Sequence, residues 1–286
     1  MSRYIPKVCE NVELKDQTVY DTKTERSFNL NPVSTRILEY CDGKADIDEI
    51  AEKICSDCEV EGDAKKEVHD DVLSFIEDSN SKYLLNCKEK GAIGYLKSLF
   101  FAQKHYKRTD INSNSLFITF LKELSIVMKV FGGLIIVTAL SLAMILIGTS
   151  LLGSPDFTKF GYRFTGIIFA LFIGFFTGIA LHETIHVYIY RRKEPLGGFM
   201  VSRGFSIKFV RKVFNESILT KLCGGGITGL IGVIGIILYV CGIGVFHNLY
   251  FLCFSIAYAV QLLNFLPFGG DGRDIIVALL KKHLKV

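Results

Sequence analysis

The sequence predicts a mostly α protein, with a four-helix membrane core preceded by a small α+β, winged-helix-like domain. Three observations predict it. Four long apolar runs fill the second half, at Val130–Leu152, Phe164–Tyr190, Leu222–Val245 and Leu249–Phe265. Charge divides between the halves: the first 126 residues carry 18 basic and 23 acidic side chains, whereas the whole chain carries 33 and 29. The N-terminal part also reads as three short strands followed by three helices, the order of a winged helix.

Val12-Glu13-Leu14, Thr18-Val19-Tyr20 and Ser27-Phe28-Asn29-Leu30 are short β-prone segments separated by polar turns. Asn31-Pro32 opens the first helix, with Asn31 as cap and Pro32 at the first helical position, and Asp42-Gly43 closes it. Asp46 caps a second helix through Ile54, and a third runs from about Asp63 to Ile76. This gives a domain over residues 1–90, an amphipathic linker over 91–126 and a membrane domain over 127–286. In the linker, Tyr95–Phe101 with Lys104, Lys107 and Arg108 reads as an interfacial segment, and Thr109–Ser115 as a short hinge. Nothing in the first 126 residues is long and apolar enough to span a membrane or serve as a secretory signal.

The apolar runs set an expected topology. Arg191, Arg192, Lys193, Arg203, Lys208, Arg211, Lys212 and Lys221 lie between the second and third runs, whereas the opposite loops hold Lys159 and Arg163. The positive-inside rule then places the basic loop and both termini in the cytoplasm, in a multi-pass protein of the cell membrane. The chain has no Trp, so its 23 Phe and 12 Tyr must supply any interfacial belt.

Within the second run, Glu183 is the one charged residue, and it stands in His182-Glu183-Thr184-Ile185-His186. Four residues apart on a helix, His182 and His186 share a face and suit two nitrogens on one tetrahedral zinc. Glu183 is placed to act as general base toward a zinc-activated water. A charge at membrane depth costs roughly 2.5–3.5 kcal/mol by insertion scales, so it needs a function. The bland alternative is a buried His-Glu-His cluster satisfied by hydrogen bonds alone.

A third ligand is offered by Asn264-Phe265-Leu266-Pro267-Phe268-Gly269-Gly270-Asp271-Gly272, where the last apolar run ends. A catalytic zinc keeps three protein ligands and one open position, and His182, His186 and Asp271 meet that count. Pro267 and the glycines break the helix and let the backbone swing a carboxylate toward the metal. Asp274, one turn on, is a rival, and a solvated Asp271 at a plain helix exit is the bland alternative. Gly197–Val210, broken at Arg203-Gly204, reads as a hairpin that either aligns an extended substrate or plays a structural role.

On these residues, residues 127–286 resemble the site-2 protease family of intramembrane zinc metallopeptidases. The matching elements are His182-Glu183-His186, Asn264/Pro267/Asp271-Gly272 and, at the start of the third apolar run, Gly224-Gly225-Gly226. The resemblance implies that His182, His186 and Asp271 hold one zinc ion per chain. It also implies that Glu183 is the acid/base and that Asn264 contacts substrate or oxyanion. The chain departs from the family in having Gly270 directly before Asp271 and a spacing one residue shorter.

Residues 4–86 resemble the PqqD-like family, the small domains called RiPP recognition elements. The resemblance rests on Phe28-Asn29-Leu30-Asn31, on the helix ending at Asp42-Gly43 and on Ile47…Ile50-Ala51. Such domains bind the leader of a ribosomally made peptide as an added strand. This implies a groove between the third helix and an edge strand over Ser27, Phe28, Asn29 and Leu30; the hairpin reading adds Gly204 as a separate candidate substrate contact. Joined, the halves imply a peptidase that removes or trims the leader of a modified precursor peptide. A transporter or a peptide-modifying enzyme of the same pathway would be its partner.

Other readings stay open: a regulated intramembrane protease of a membrane-bound regulator, a non-catalytic peptide-binding, export or immunity component, and a zinc exporter or channel. A winged helix could bind DNA, but a net acidic domain is a poor phosphate partner, so no nucleic acid is expected. Of the eight cysteines, five fall in the domain placed in the reducing cytoplasm, so free thiols are expected, the lone Cys55-Ser-Asp-Cys58 pair included.

Overall fold

The computed structural model describes residues 4–89, 106–111, 115–152, 154–192, 197–204, 206–211, 218–266 and 270–284. The chain divides into two compact units, Met1–Asp110 with Leu196–Val213, and Ile111–Pro195 with Phe214–Val286.

In the first unit, β2 (Val12–Lys15), β3 (Thr18–Asp21) and β4 (Arg26–Asn29) form the expected antiparallel meander. β3 is central, and β2 and β4 are its edges. Val19 pairs with Phe28, which directs both toward the helices α1 (Pro32–Tyr40), α2 (Ile47–Asp57) and α3 (Ala64–Ser81). Asn31 caps α1 by accepting from Ser34 N at 2.7 Å. Asp46 and Glu49 close a reciprocal capping box at the start of α2. Ile37, Leu38, Ile47, Ile50, Ile54, Val72 and Ile76 fill the core between the helices. α3 runs five residues beyond its expected end, and Asp63 makes no side-chain cap there.

Three strands escaped the sequence reading: one at Lys107–Thr109, read as interfacial segment and hinge, and two that join each other. β1 (Tyr4–Val8) pairs antiparallel with β5 (Leu85–Glu89), joining the ends of the domain. A strand pairing at that separation carries no turn signal, and Pro6 obscured β1. Proline is tolerated there because its carbonyl faces away from β5, accepting from Gly43 N at 3.0 Å, so the N–H it lacks is not one that β5 needs.

The first unit also contains a third sheet. β6 (Lys107–Thr109), β7 (Phe199–Arg203) and β8 (Ser206–Val210) pair in that order, and β7–β8 is the expected hairpin with Gly204 at φ +56° in its turn. The hairpin belongs to this unit because of what it buries. Phe199, Val201 and Val210 pack with Cys9 and Tyr106, against Val12 and Tyr83. Gly198 N donates to Lys23 O at 3.0 Å, Arg26 donates to Arg211 O at 2.9 Å, and Arg203 donates to Asn80 Oδ1 at 2.8 Å. The Arg108 guanidinium lies 3.5 Å from the centre of the Phe199 ring.

The second unit is helical: α4 (Leu116–Val130), α5 (Gly132–Leu151), α6 (Pro155–Arg191), α7 (Ile218–Val240), α8 (Leu249–Ala259) and α9 (Gly270–Leu284). A 3-10 segment, Val260–Phe265, continues α8. α6 packs against α4, α5, α7 and α8, and α7 lies along α8. Three helices, Gly132–Leu151, Pro155–Arg191 and Leu222–Val240, are long and apolar enough to cross a membrane. The fourth expected span, Leu249–Phe265, is shorter and changes to 3-10 geometry part-way. α5 buries none of its residues within the chain, so its apolar surface calls for a non-aqueous neighbour. The interfacial segment expected at Tyr95–Phe101 lies outside the described residues. α4 begins inside the stretch read as linker and is ordered by packing on α6.

Candidate metal centre

α6 carries His182, Glu183 and His186 in its second half, where alanine, threonine and branched apolar residues sustain the helix. The two imidazoles meet edge to face, with ring centres 4.9 Å apart and planes at 64°, and each histidine is 5 % exposed. Asp271 enters from the first turn of α9. Its Oδ2 lies 3.1 Å from His182 Nε2 and 3.3 Å from His186 Nε2. The three ligand atoms all fall within 4.8 Å of one another.

These separations test the donor set. With metal–ligand bonds of about 2.0–2.1 Å, two ligands of a tetrahedral zinc stand about 3.3 Å apart. The two His–Asp separations, 3.1 and 3.3 Å, match that value, and all three donor atoms lie within 4.8 Å of one another. Asp271 reaches this place despite the shortened motif. Asp274 has no described side chain. Neither histidine Nδ1 has a hydrogen-bond partner among the described residues, so no outer acceptor fixes the rings there.

Packing fixes the rings instead. A Cβ built on Gly224 of α7 would stand 2.2 Å from His186 Nε2, so only glycine leaves room for that imidazole. Gly272 plays the same part beside Asp271, since its Cβ would meet Leu266 O at 2.1 Å. Close approach at Gly224 brings α7 against α6 at His186, and at Gly272 it brings α9 against the end of the 3-10 segment.

Asn264 lies in the 3-10 segment and donates from Nδ2 to Gln261 Oε1 at 3.2 Å. Gln261 is 4 % exposed and packs beside Gly178, one turn before His182 on α6. The sequence reading passed over Gln261, whose signal was a lone amide one turn before Asn264 in an apolar run. Glu123 was also missed. It is 0 % exposed on α4, with neither carboxylate oxygen hydrogen-bonded among the described residues. Its signal was an acidic residue inside the apolar sequence Leu116–Val130, obscured because that stretch was assigned to the linker.

In the first unit, Ser27, Phe28 and Asn29 lie on β4, which keeps one edge unpaired by any described strand, and Leu30 follows it. Ser27 and Asn29 are exposed on the outer face, while Phe28 and Leu30 lean on the core. The Lys82 ammonium, at the end of α3, sits 5.5 Å from the Phe28 ring centre. Gly204 belongs to the hairpin in this same unit.

Compared with known proteins, residues 17–85 match the family described as coenzyme PQQ synthesis protein D (PqqD). The match starts at the β2–β3 turn, covers β3, β4 and all three helices, and ends at the first residue of β5. These residues form a PqqD-like domain. No curated protein and no solved structure matches the chain.

Proposed function

We propose that this protein is a membrane-embedded zinc metallopeptidase that cuts a ribosomally made, modified precursor peptide, whose leader is bound by the PqqD-like domain. The observation that carries the catalytic half is the convergence of ligand atoms of His182, His186 and Asp271 within 4.8 Å of one another. Two of these residues come from the His-Glu-x-x-His sequence and the third from a segment 85 residues later. His182, His186 and Asp271 would hold the zinc, which when bound supplies a Lewis acid that polarises a carbonyl and acidifies water.

Glu183 takes the proton of the attacking water and passes it to the leaving amine. Water oxygen bonds to the carbonyl carbon, the C–N bond breaks, and the products are a carboxylic acid and an amine. Asn264 has a second amide hydrogen beyond the one given to Gln261, and this hydrogen serves the oxyanion. The similarity to site-2 proteases supports this assignment of roles. The 3-10 geometry supports a fourth crossing, because the larger rise per residue extends Leu249–Phe265 to about 28 Å. With four crossings, both termini and the PqqD-like domain face the cytoplasm, where a precursor peptide is made.

For the recognition half, the unpaired edge of β4 suits addition of an extended leader strand, with α3 beside it. Binding there raises the local concentration of the scissile segment at the peptidase. The test is cleavage of the precursor by wild type and Glu183→Gln. The variant is expected to keep its fold and zinc while losing cleavage by at least about 100-fold. Tight precursor binding with no turnover by wild type would instead select a non-catalytic peptide-binding component.

A further inference from the structure

Gln261 takes no direct part in the reaction, yet it is an amide in an apolar segment and is 4 % exposed. Two glycines seat it. A Cβ on Gly178 of α6 would stand 3.5 Å from its Nε2, and one on Gly225 of α7 would stand 3.2 Å from its backbone oxygen. Gln261 therefore lies between the helix that carries both histidines and the helix that carries Gly224. The backbone there is 3-10, from Val260 to Phe265. With three residues per turn, side chains at i and i+3 eclipse, whereas on an α-helix they diverge by about 60°. Gln261 thus stands in line with Asn264, and Asn264 Nδ2 donates to its Oε1 at 3.2 Å. Packing alone does not account for an amide at this position, because leucine would fill the space without a polar group to bury.

We propose that Gln261 is a positioning residue for Asn264, taking one of the two Nδ2 hydrogens on its Oε1 and so aiming the other at the reacting carbonyl. An amide free to turn over would also present Oδ1, an acceptor that a developing oxyanion repels. The proposal rests on the reading of Asn264 as the oxyanion donor. It adds a residue that stands three positions before the Asn264–Gly272 motif.

The test is NMR of the full chain in lipid nanodiscs with isotope-labelled asparagine, comparing wild type, Gln261→Leu, Gln261→Glu and Asn264→Asp. The side-chain amide pair that disappears in Asn264→Asp assigns the signal. In wild type, one hydrogen of the pair is expected at a bonded, downfield shift and the other near that of a free amide. Gln261→Leu brings the bonded one back toward the free value. Gln261→Glu retains the downfield shift, because a carboxyl group keeps an acceptor oxygen at the same place. A wild-type pair with no downfield hydrogen, or the same pair in wild type and Gln261→Leu, would overturn the proposal. If Gln261→Leu does not fold, Gln261→Met removes the amide from a side chain of similar length. Zinc and acetohydroxamate added to the same samples form a separate arm, in which the free hydrogen is expected to move in wild type and to stay in Gln261→Leu. A wild-type chain that binds both without moving it refutes the oxyanion role of Asn264, and one that takes up no zinc refutes the metallopeptidase reading. In either case the bonded hydrogen still decides whether Gln261 holds Asn264.

Discussion

At the residue scale, the metal centre depends on absent side chains as much as on present ones. Gly224→Ala would drive a methyl group into His186 Nε2, whereas the Cβ of Gly226 would meet nothing closer than 3.5 Å. The expected outcome is loss of zinc from Gly224→Ala, with about 1–3 kcal/mol of overpacking strain, and normal zinc content in Gly226→Ala. Metal analysis beside thermal unfolding checks both. His69, in the first unit, gives a pH prediction. Its Nε2 lies 2.9 Å from Asp48 Oδ1, and that hydrogen bond raises its pKa above the ordinary histidine value. A raised folded pKa means that the contact stabilises fully below the unfolded value, near 6.5, and is lost as pH rises through the folded value. A titration of the His69 ring by NMR should therefore give a midpoint above that of an unfolded peptide, and Asp48→Asn should bring it back down.

At the element scale, the sequence was most legible where local chemistry decides structure. Asn31-Pro32 and Asp46 marked two helix starts, and short β-prone segments between polar turns marked β2, β3 and β4. It was least legible where distant segments pair. β1 with β5, and β6 with β7, are joined by long-range contacts that no local pattern announces. The hairpin itself was readable from Arg203-Gly204, but its partners were not, because Phe199 gives no sign of packing on Cys9 and Tyr106. This sharing of core makes a prediction. Phe199→Ala, at a fully buried position outside the PqqD match, should cost about 3–5 kcal/mol and lower hydrogen-exchange protection in the first unit. Unchanged protection would mean that residues 17–85 stand without the hairpin.

For the whole molecule, the arrangement in sequence bears on how recognition and chemistry are connected. The chain leaves α6 just past His186, contributes β7 and β8 to the first unit, and returns as α7, which carries Gly224. The first unit is thus continuous in chain with the helices that carry His182, His186 and Gly224 at both ends of the hairpin as well as through α4. The convergence of His182, His186 and Asp271 was legible because His182-Glu183-His186 and Asp271-Gly272 each carry a recognisable spacing. Glu123 and Gln261 were not, because their places depend on how α4 and the 3-10 segment pack.

The central claim is a zinc ion held by three side chains from two distant segments. Metal content of the detergent-purified full chain, measured by mass spectrometry for wild type, His186→Ala and Asp271→Ala, tests it most directly. The account predicts about one zinc per wild-type chain and loss of that zinc in both variants. Zinc retained by Asp271→Ala, or a wild-type chain that holds no metal after reconstitution with zinc, would contradict it.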